Sequence, residues 1–141
     1  MLNKAPLWFV VAAALALLWN LAGLFAVLAN LGLSAEQVAA LPADQQALHT
    51  SRPAWSIAGS VVAVVAGTAG CVLLLVRRRW ALAAFVLSLA GLVLQDIGLF
   101  AIAAKVQAPG TVVVVMQAAV FLIAVALLLL ARQARGRGWL R

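Results

Sequence analysis

Apolar residues run along this chain in long unbroken stretches, and polar residues gather in short clusters between them. A helix needs about 20 apolar residues to cross a ~30 Å hydrocarbon core. Four stretches reach that length, at about residues 7–29, 54–76, 80–104 and 111–131. Pro6 and Pro53 stand at the openings of the first two, where a missing N–H costs nothing. Pro109-Gly110 breaks the chain before the fourth. Val112 to Val115 would read as a strand in water. In lipid each segment must satisfy its own backbone, so the pattern predicts a helix there as well.

The links differ. Arg77-Arg78-Arg79 and residues 105–110 are short, whereas residues 30–52 form a long polar link. Ser34 followed by Gln37 is a capping box, which predicts a short helix over residues 34–41 with Val38 and Leu41 on one apolar side. Pro42 ends it, and residues 43–49 are expected to form a further helical turn. The expected fold is all-α. It is a four-helix integral membrane bundle filling one domain, residues 1–141, with a short amphipathic helical segment in the link between helices one and two, lying on the membrane surface.

Composition agrees with a membrane solvent. The chain is 67% hydrophobic and 9% charged, whereas about a quarter of a soluble domain is charged. The net charge of +7 sits in the links. Lys4, Arg77, Arg78, Arg79, Arg132, Arg135, Arg137 and Arg141 fall on one side of the predicted spans, with Arg52 and Lys105 on the other. By the positive-inside rule both termini are cytoplasmic and the long link faces outward. No basic stripe is interleaved with aromatics, so a nucleic-acid partner is not expected. Trp8, Trp55, Trp80 and Trp139 lie near helix ends, as an interfacial aromatic belt requires, and Trp19 lies near the middle. The first stretch is too long for the 7–15-residue core of a signal peptide and reads as a retained helix. Cys71 and His49 are the one cysteine and the one histidine. They allow no intrachain disulfide and no metal cluster, and no cofactor is expected.

Helices associate in lipid through small residues that let backbones approach. Gly59, Ala63, Gly67 and Cys71 repeat every four residues on helix two. Ala84, Ser88, Gly91, Gln95 and Gly98 alternate by four and three on helix three, and Ala12, Ala16 and Asn20 line helix one beside Gly23. These three faces are expected to meet.

Asp96 is the one acid within the apolar stretches. A carboxylate there costs ~2.5–3.5 kcal/mol or more on insertion scales, so it calls for a reason. It lies about 13 Å from the outer end of helix three at 1.5 Å per residue, and Lys105, nine residues on, falls on the opposite face of a regular helix. Asn20, Ser56, Ser60, Gln95 and Gln117 all belong to the same half of the membrane. The expectation is an outward-opening polar cavity with Asp96 as its charged group and Arg52 or His49 as counter-charge. It would bind a proton or a cationic or hydroxylated solute. The alternative is that Asp96 and Asn20 merely lock the bundle, with His49 solvated and the arginine clusters serving topology and lipid headgroups.

Trp19-Asn20-Leu21-Ala22-Gly23-Leu24-Phe25, Pro53-Ala54-Trp55, Gly70-Cys71 leading to Arg78-Arg79-Trp80-Ala81, and the ending Arg137-Gly138-Trp139-Leu140 form a recognisable set. On these motifs the chain resembles, over nearly its whole length, small four-helix inner-membrane proteins of Gram-negative bacteria that carry the automatic label "sugar transporter". The resemblance implies a bacterial inner membrane and a sugar-like solute, and brings no substrate residues with it. Small multidrug exporters are less similar, because helix one here has no glutamate. The expected function is that of a small-solute transporter or permease. The alternative is a non-catalytic accessory or assembly subunit of a larger membrane complex. An enzyme is not expected. The expected partners are the lipid bilayer and either further copies of the chain or a larger complex.

Overall fold

A computed structural model describes residues 4–105 and 107–141; Val106, within the short link expected at 105–110, and the first three residues of the expected single domain lie outside the described residues. Among the described residues the chain is all-α. It contains α1 (Leu7–Leu31), α2 (Ala35–Ala39), α3 (Ala43–Ser51), α4 (Ala54–Leu75), α5 (Trp80–Asp96) and α6 (Thr111–Gly136). Four helical spans, Leu7–Leu31, Ala54–Leu75, Trp80–Lys105 and Thr111–Gly136, are long and apolar enough to cross a membrane.

Local chemistry sets the boundaries. Pro6, Pro42 and Pro53 occupy the N-cap positions of α1, α3 and α4. The capping box of α2 is complete: the Gln37 amide donates to Ser34 Oγ at 3.2 Å, and the Ser34 amide donates to Gln37 Oε1 at 2.8 Å. Helix ends shift by a residue or two from the sequence pattern, and two differences are larger. α6 continues to Gly136, because Arg132, Gln133 and Arg135 are good helix formers and nothing before Gly136 breaks the helix. The third span is not uniformly α-helical. After Asp96 its hydrogen bonding widens into a π-helical stretch, Ile97–Ile102, then tightens into a 3-10 turn, Ala103–Lys105.

α4 packs mainly on α5 and also on α1, and α6 packs on α5. Gly59 and Gly91 mark the closest approach of α4 and α5. A Cβ on Gly59 would stand 2.7 Å from the Gly91 carbonyl oxygen, and one on Gly91 would stand 2.6 Å from that of Gly59. The Ser88 hydroxyl donates to the Ala63 carbonyl across the same seam at 2.6 Å. Gly67 leaves room for the Asn20 side chain, whose Nδ2 donates to the Ala16 carbonyl at 2.9 Å and to Cys71 Sγ at 3.5 Å. The packing stripe of α4 is therefore buried at Gly59, Ala63, Gly67 and Cys71. On α5 Ser88 and Gly91 are buried while Ala84 is only half-buried; Phe85 fills that level, its ring lying over Gly70.

The bundle has two unlike ends. At the arginine end Phe9, Cys71, Leu74, Ala81, Phe85, Leu127, Ala131 and Trp139 form one apolar core. The chain's last residues fold back onto it. Gly138 adopts φ 73° and reverses the chain after α6. Arg141 then pairs with the α4–α5 turn: its amide donates to the Arg77 carbonyl and its carbonyl accepts from the Arg79 amide, both at 2.8 Å. Arg77 sits at φ 60° in that turn, and its Nε donates to the Trp139 carbonyl at 2.8 Å. Trp139, expected in an interfacial belt, is only 7% exposed. Its ring packs against Phe9 and edge-on to Trp8, with Arg137 over its face. The reason is the reversal at Gly138, which turns the indole inward. α1 and α6 have little backbone contact along their length, and their side chains share a core at the arginine end.

Candidate functional site

The gap between α1 and α6 holds a half-open chamber of about 340 Å³. α1 contributes Trp19, Asn20, Ala22, Gly23 and Ala26; α4 contributes Ala63 and Gly67; α5 contributes Phe85, Ser88 and Gln95; α6 contributes Met116, Gln117 and Leu127. Small residues on α1 and α4 create the space, and large apolar residues on α5 and α6, with Trp19 of α1, wall it. Its lining is mostly apolar. Asn20 and Ser88 are already engaged, with Ala16 and Cys71 and with Ala63 respectively.

A second cavity of about 210 Å³ lies towards the 32–53 link and is markedly more polar. Asn30, His49, Arg52, Ser60, Gln95 and Gln117 line it, with Ala26, Val27, Leu31 and Ile57. Ala26, Val27, Gln95 and Gln117 belong to both cavities. The joint between them is a hydrogen bond from Gln95 Nε2 to Gln117 Oε1 at 2.8 Å, linking α5 to α6.

Arg52 reaches into this vestibule from the turn between α3 and α4. Its Nη2 donates to Ser60 Oγ at 2.7 Å and lies 3.4 Å from Ser56 Oγ. Its Nε is buried with no hydrogen-bond partner among the described residues. Burial pushes its pKa down, and the charge of Asp96 opposes that shift; an arginine stays protonated regardless. The vestibule thus carries Arg52 and His49 and no acid.

Of the residues singled out from the sequence, Asn20, Gln95 and Gln117 line the chamber, and His49, Arg52, Ser60, Gln95 and Gln117 line the vestibule. Asp96 lines neither of these two cavities. Gln95 and Asp96 are separated by about 100° around the helix, and it is Gln95 that shares the inward seam with Ser88 and Gly91. Asp96 is half-buried, and its Oδ1 has no hydrogen-bond partner among the described residues. Of the two expected counter-charges, Arg52 is the one whose charge reaches it, but the Arg52 Nη2 is engaged by Ser60 and Ser56. Ser56 in turn donates to the Gln95 carbonyl at 3.1 Å, just before the π-helical stretch. That stretch and the 3-10 turn after it lie between Asp96 and Lys105, so the span joining them is not a regular α-helix.

The sequence reading missed Trp19, Phe85, Met116 and Leu127 as cavity wall. The run of Ala22, Gly23 and Ala26, on the helix that carries Trp19 and across the chamber from the other three, was the available signal. No known protein family, curated protein or solved structure matches the chain.

Proposed function

We propose that the chain is a small-solute transporter or permease of a bacterial inner membrane, with its arginine end cytoplasmic and its vestibule facing outward. The observation that carries this reading is the pair of cavities joined at Gln95 and Gln117. A polar vestibule next to the 32–53 link leads to a chamber at mid-span depth, and one breakable side-chain hydrogen bond lies between them. Arg52, Ser60, Asn30 and the two glutamines offer donors and acceptors to a hydroxylated solute, in keeping with the sugar-like class implied by the motifs of helices one and two. The distribution of Lys and Arg supports the orientation.

The test is uptake of radiolabelled sugars and polyols into vesicles containing the purified chain. Saturable uptake that changes in Gln95→Ala and Gln117→Ala supports the reading. Uptake no faster than in empty vesicles across such a panel sinks it.

A second reading, an accessory subunit of a larger membrane complex, is favoured by α1 and α6. Few residues of either are buried, and each leaves a long apolar face for lipid or for another protein. Native mass after gentle extraction separates the two. A monomer or homo-oligomer supports the transporter, and stoichiometric co-migration with other chains supports the subunit.

A further inference from the structure

The two cavities differ in chemistry in a way that a freely water-soluble solute would not need. The chamber is walled by Trp19, Phe85, Met116 and Leu127, and its inner polar groups already bond to helix backbone and to Cys71. It lies between α1 and α6, and Ala22, Ala26 and Met116 at its margin are exposed, so it opens sideways into the space that lipid tails fill. The vestibule sits at the end where lipid headgroups lie and is lined by the cation Arg52, with the nearby Asp96 outside its lining. Ala26 and Val27 line both, so the two cavities adjoin along α1 beside the glutamine pair. At about 340 Å³ the chamber is near the lower end of ligand-pocket sizes, suited to one hydrocarbon chain.

We propose that the substrate of this site is a single-chain amphiphile with an anionic head. The head lies on Arg52 in the vestibule, and the chain passes Gln95 and Gln117 into the chamber. The amphiphile would enter laterally between α1 and α6, keeping the head-up orientation it has in a bilayer. The buried Arg52 Nε, which has no hydrogen-bond partner among the described residues, is a donor such a head can satisfy. This inference rests on the reading of the vestibule as a solute site and names the class of solute.

The experiment uses the full chain in phosphatidylcholine nanodiscs and an alkyl phosphate brominated at its tail. Quenching of Trp19 is taken as the difference between the parent and Trp19→Phe. The probe should quench Trp19, and Arg52→Gln should weaken binding by about tenfold, the scale of one charge-assisted hydrogen bond. Arg52→Lys should retain part of the affinity. Should Arg52→Gln fail to fold, Ala26→Phe serves instead: it obstructs the place where the cavities adjoin, at an exposed position, and should abolish the Trp19 signal. The brominated alcohol of equal length should quench less, and inorganic phosphate at the same concentration should not displace the probe. Equal quenching by the alcohol, an unchanged affinity in Arg52→Gln, displacement by inorganic phosphate, or no Trp19-dependent quenching would each overturn the proposal. Sugar uptake without amphiphile binding defeats this inference alone; amphiphile binding without sugar uptake sinks the earlier reading of a sugar-like solute transporter and leaves this site standing.

Discussion

Gln95 and Asp96 are neighbours in sequence with different surroundings. Gln95 lies on the seam with Ser88 and Gly91, bonds to Gln117 and borders both cavities. Asp96 borders neither. Asp96→Asn should therefore leave solute binding within about twofold of the parent while changing the melting temperature of the reconstituted protein; a tenfold loss of binding would return Asp96 to the site. Gln95→Ala should do the opposite. It removes one interhelical bond, worth roughly 0.6–2 kcal/mol in membranes, and opens the joint, so vesicle uptake should rise or lose saturation with a small fall in stability. The polar residues of the vestibule were legible in the sequence because polarity inside an apolar stretch is conspicuous. The ranking among them was not, since charge drew attention to Asp96 while the seam on which Gln95 lies pointed elsewhere.

The four spans, the capped α2 and the small-residue stripe of α4 follow from patterns that one sequence displays: run length, capping spacing and four-residue periodicity. At this scale Gly91→Ala is informative. Its Cβ would meet the Gly59 carbonyl oxygen and the Ala63 amide nitrogen, and backbone cannot yield as a side-chain tip can. Overpacking of this kind costs about 1–3 kcal/mol, which should appear as a lowered melting temperature after extraction. Gly67→Leu should disrupt the bundle more severely, because it displaces Asn20 from both its partners; an unchanged extraction and melt would place that stripe against lipid. The π-helical stretch was not legible. Ile-Gly-Leu-Phe-Ala-Ile is as apolar as the α-helix before it, and the close approach of Ser56 to Gly98 within it joins residues far apart in sequence.

The molecule as a whole is asymmetric, closed at the arginine end and parted at the other. The closed end depends on contacts between residues far apart in sequence, such as Arg77 with Trp139, which no local pattern announces; the arginines instead read as topology signals. Arg77→Ala should destabilise the fold by about 1.5–3 kcal/mol, the scale of a hydrogen bond from a charged donor. Arg77→Gly should recover part of that, since glycine holds φ 60° without strain. Thermal unfolding followed by tryptophan fluorescence reads both, because Trp8 and Trp139 report on the contact. Trp139→Ala should cost about 3–5 kcal/mol and loosen α1 from α6 at the one end where they share a core.

The π-helical stretch has a consequence for how this chain tolerates changes in length. A π turn holds more residues than an α turn for nearly the same advance, so residues 97–102 carry slack that the rest of the third span lacks. A one-residue deletion inside that stretch can be absorbed by tightening it into regular α-helix, leaving the frame of the Ser88–Gln95 seam untouched. The same deletion among residues 84–94 would rotate every following side chain off the seam by about 100°. Relatives of this protein that differ by a single residue in span length should differ here, immediately after Asp96.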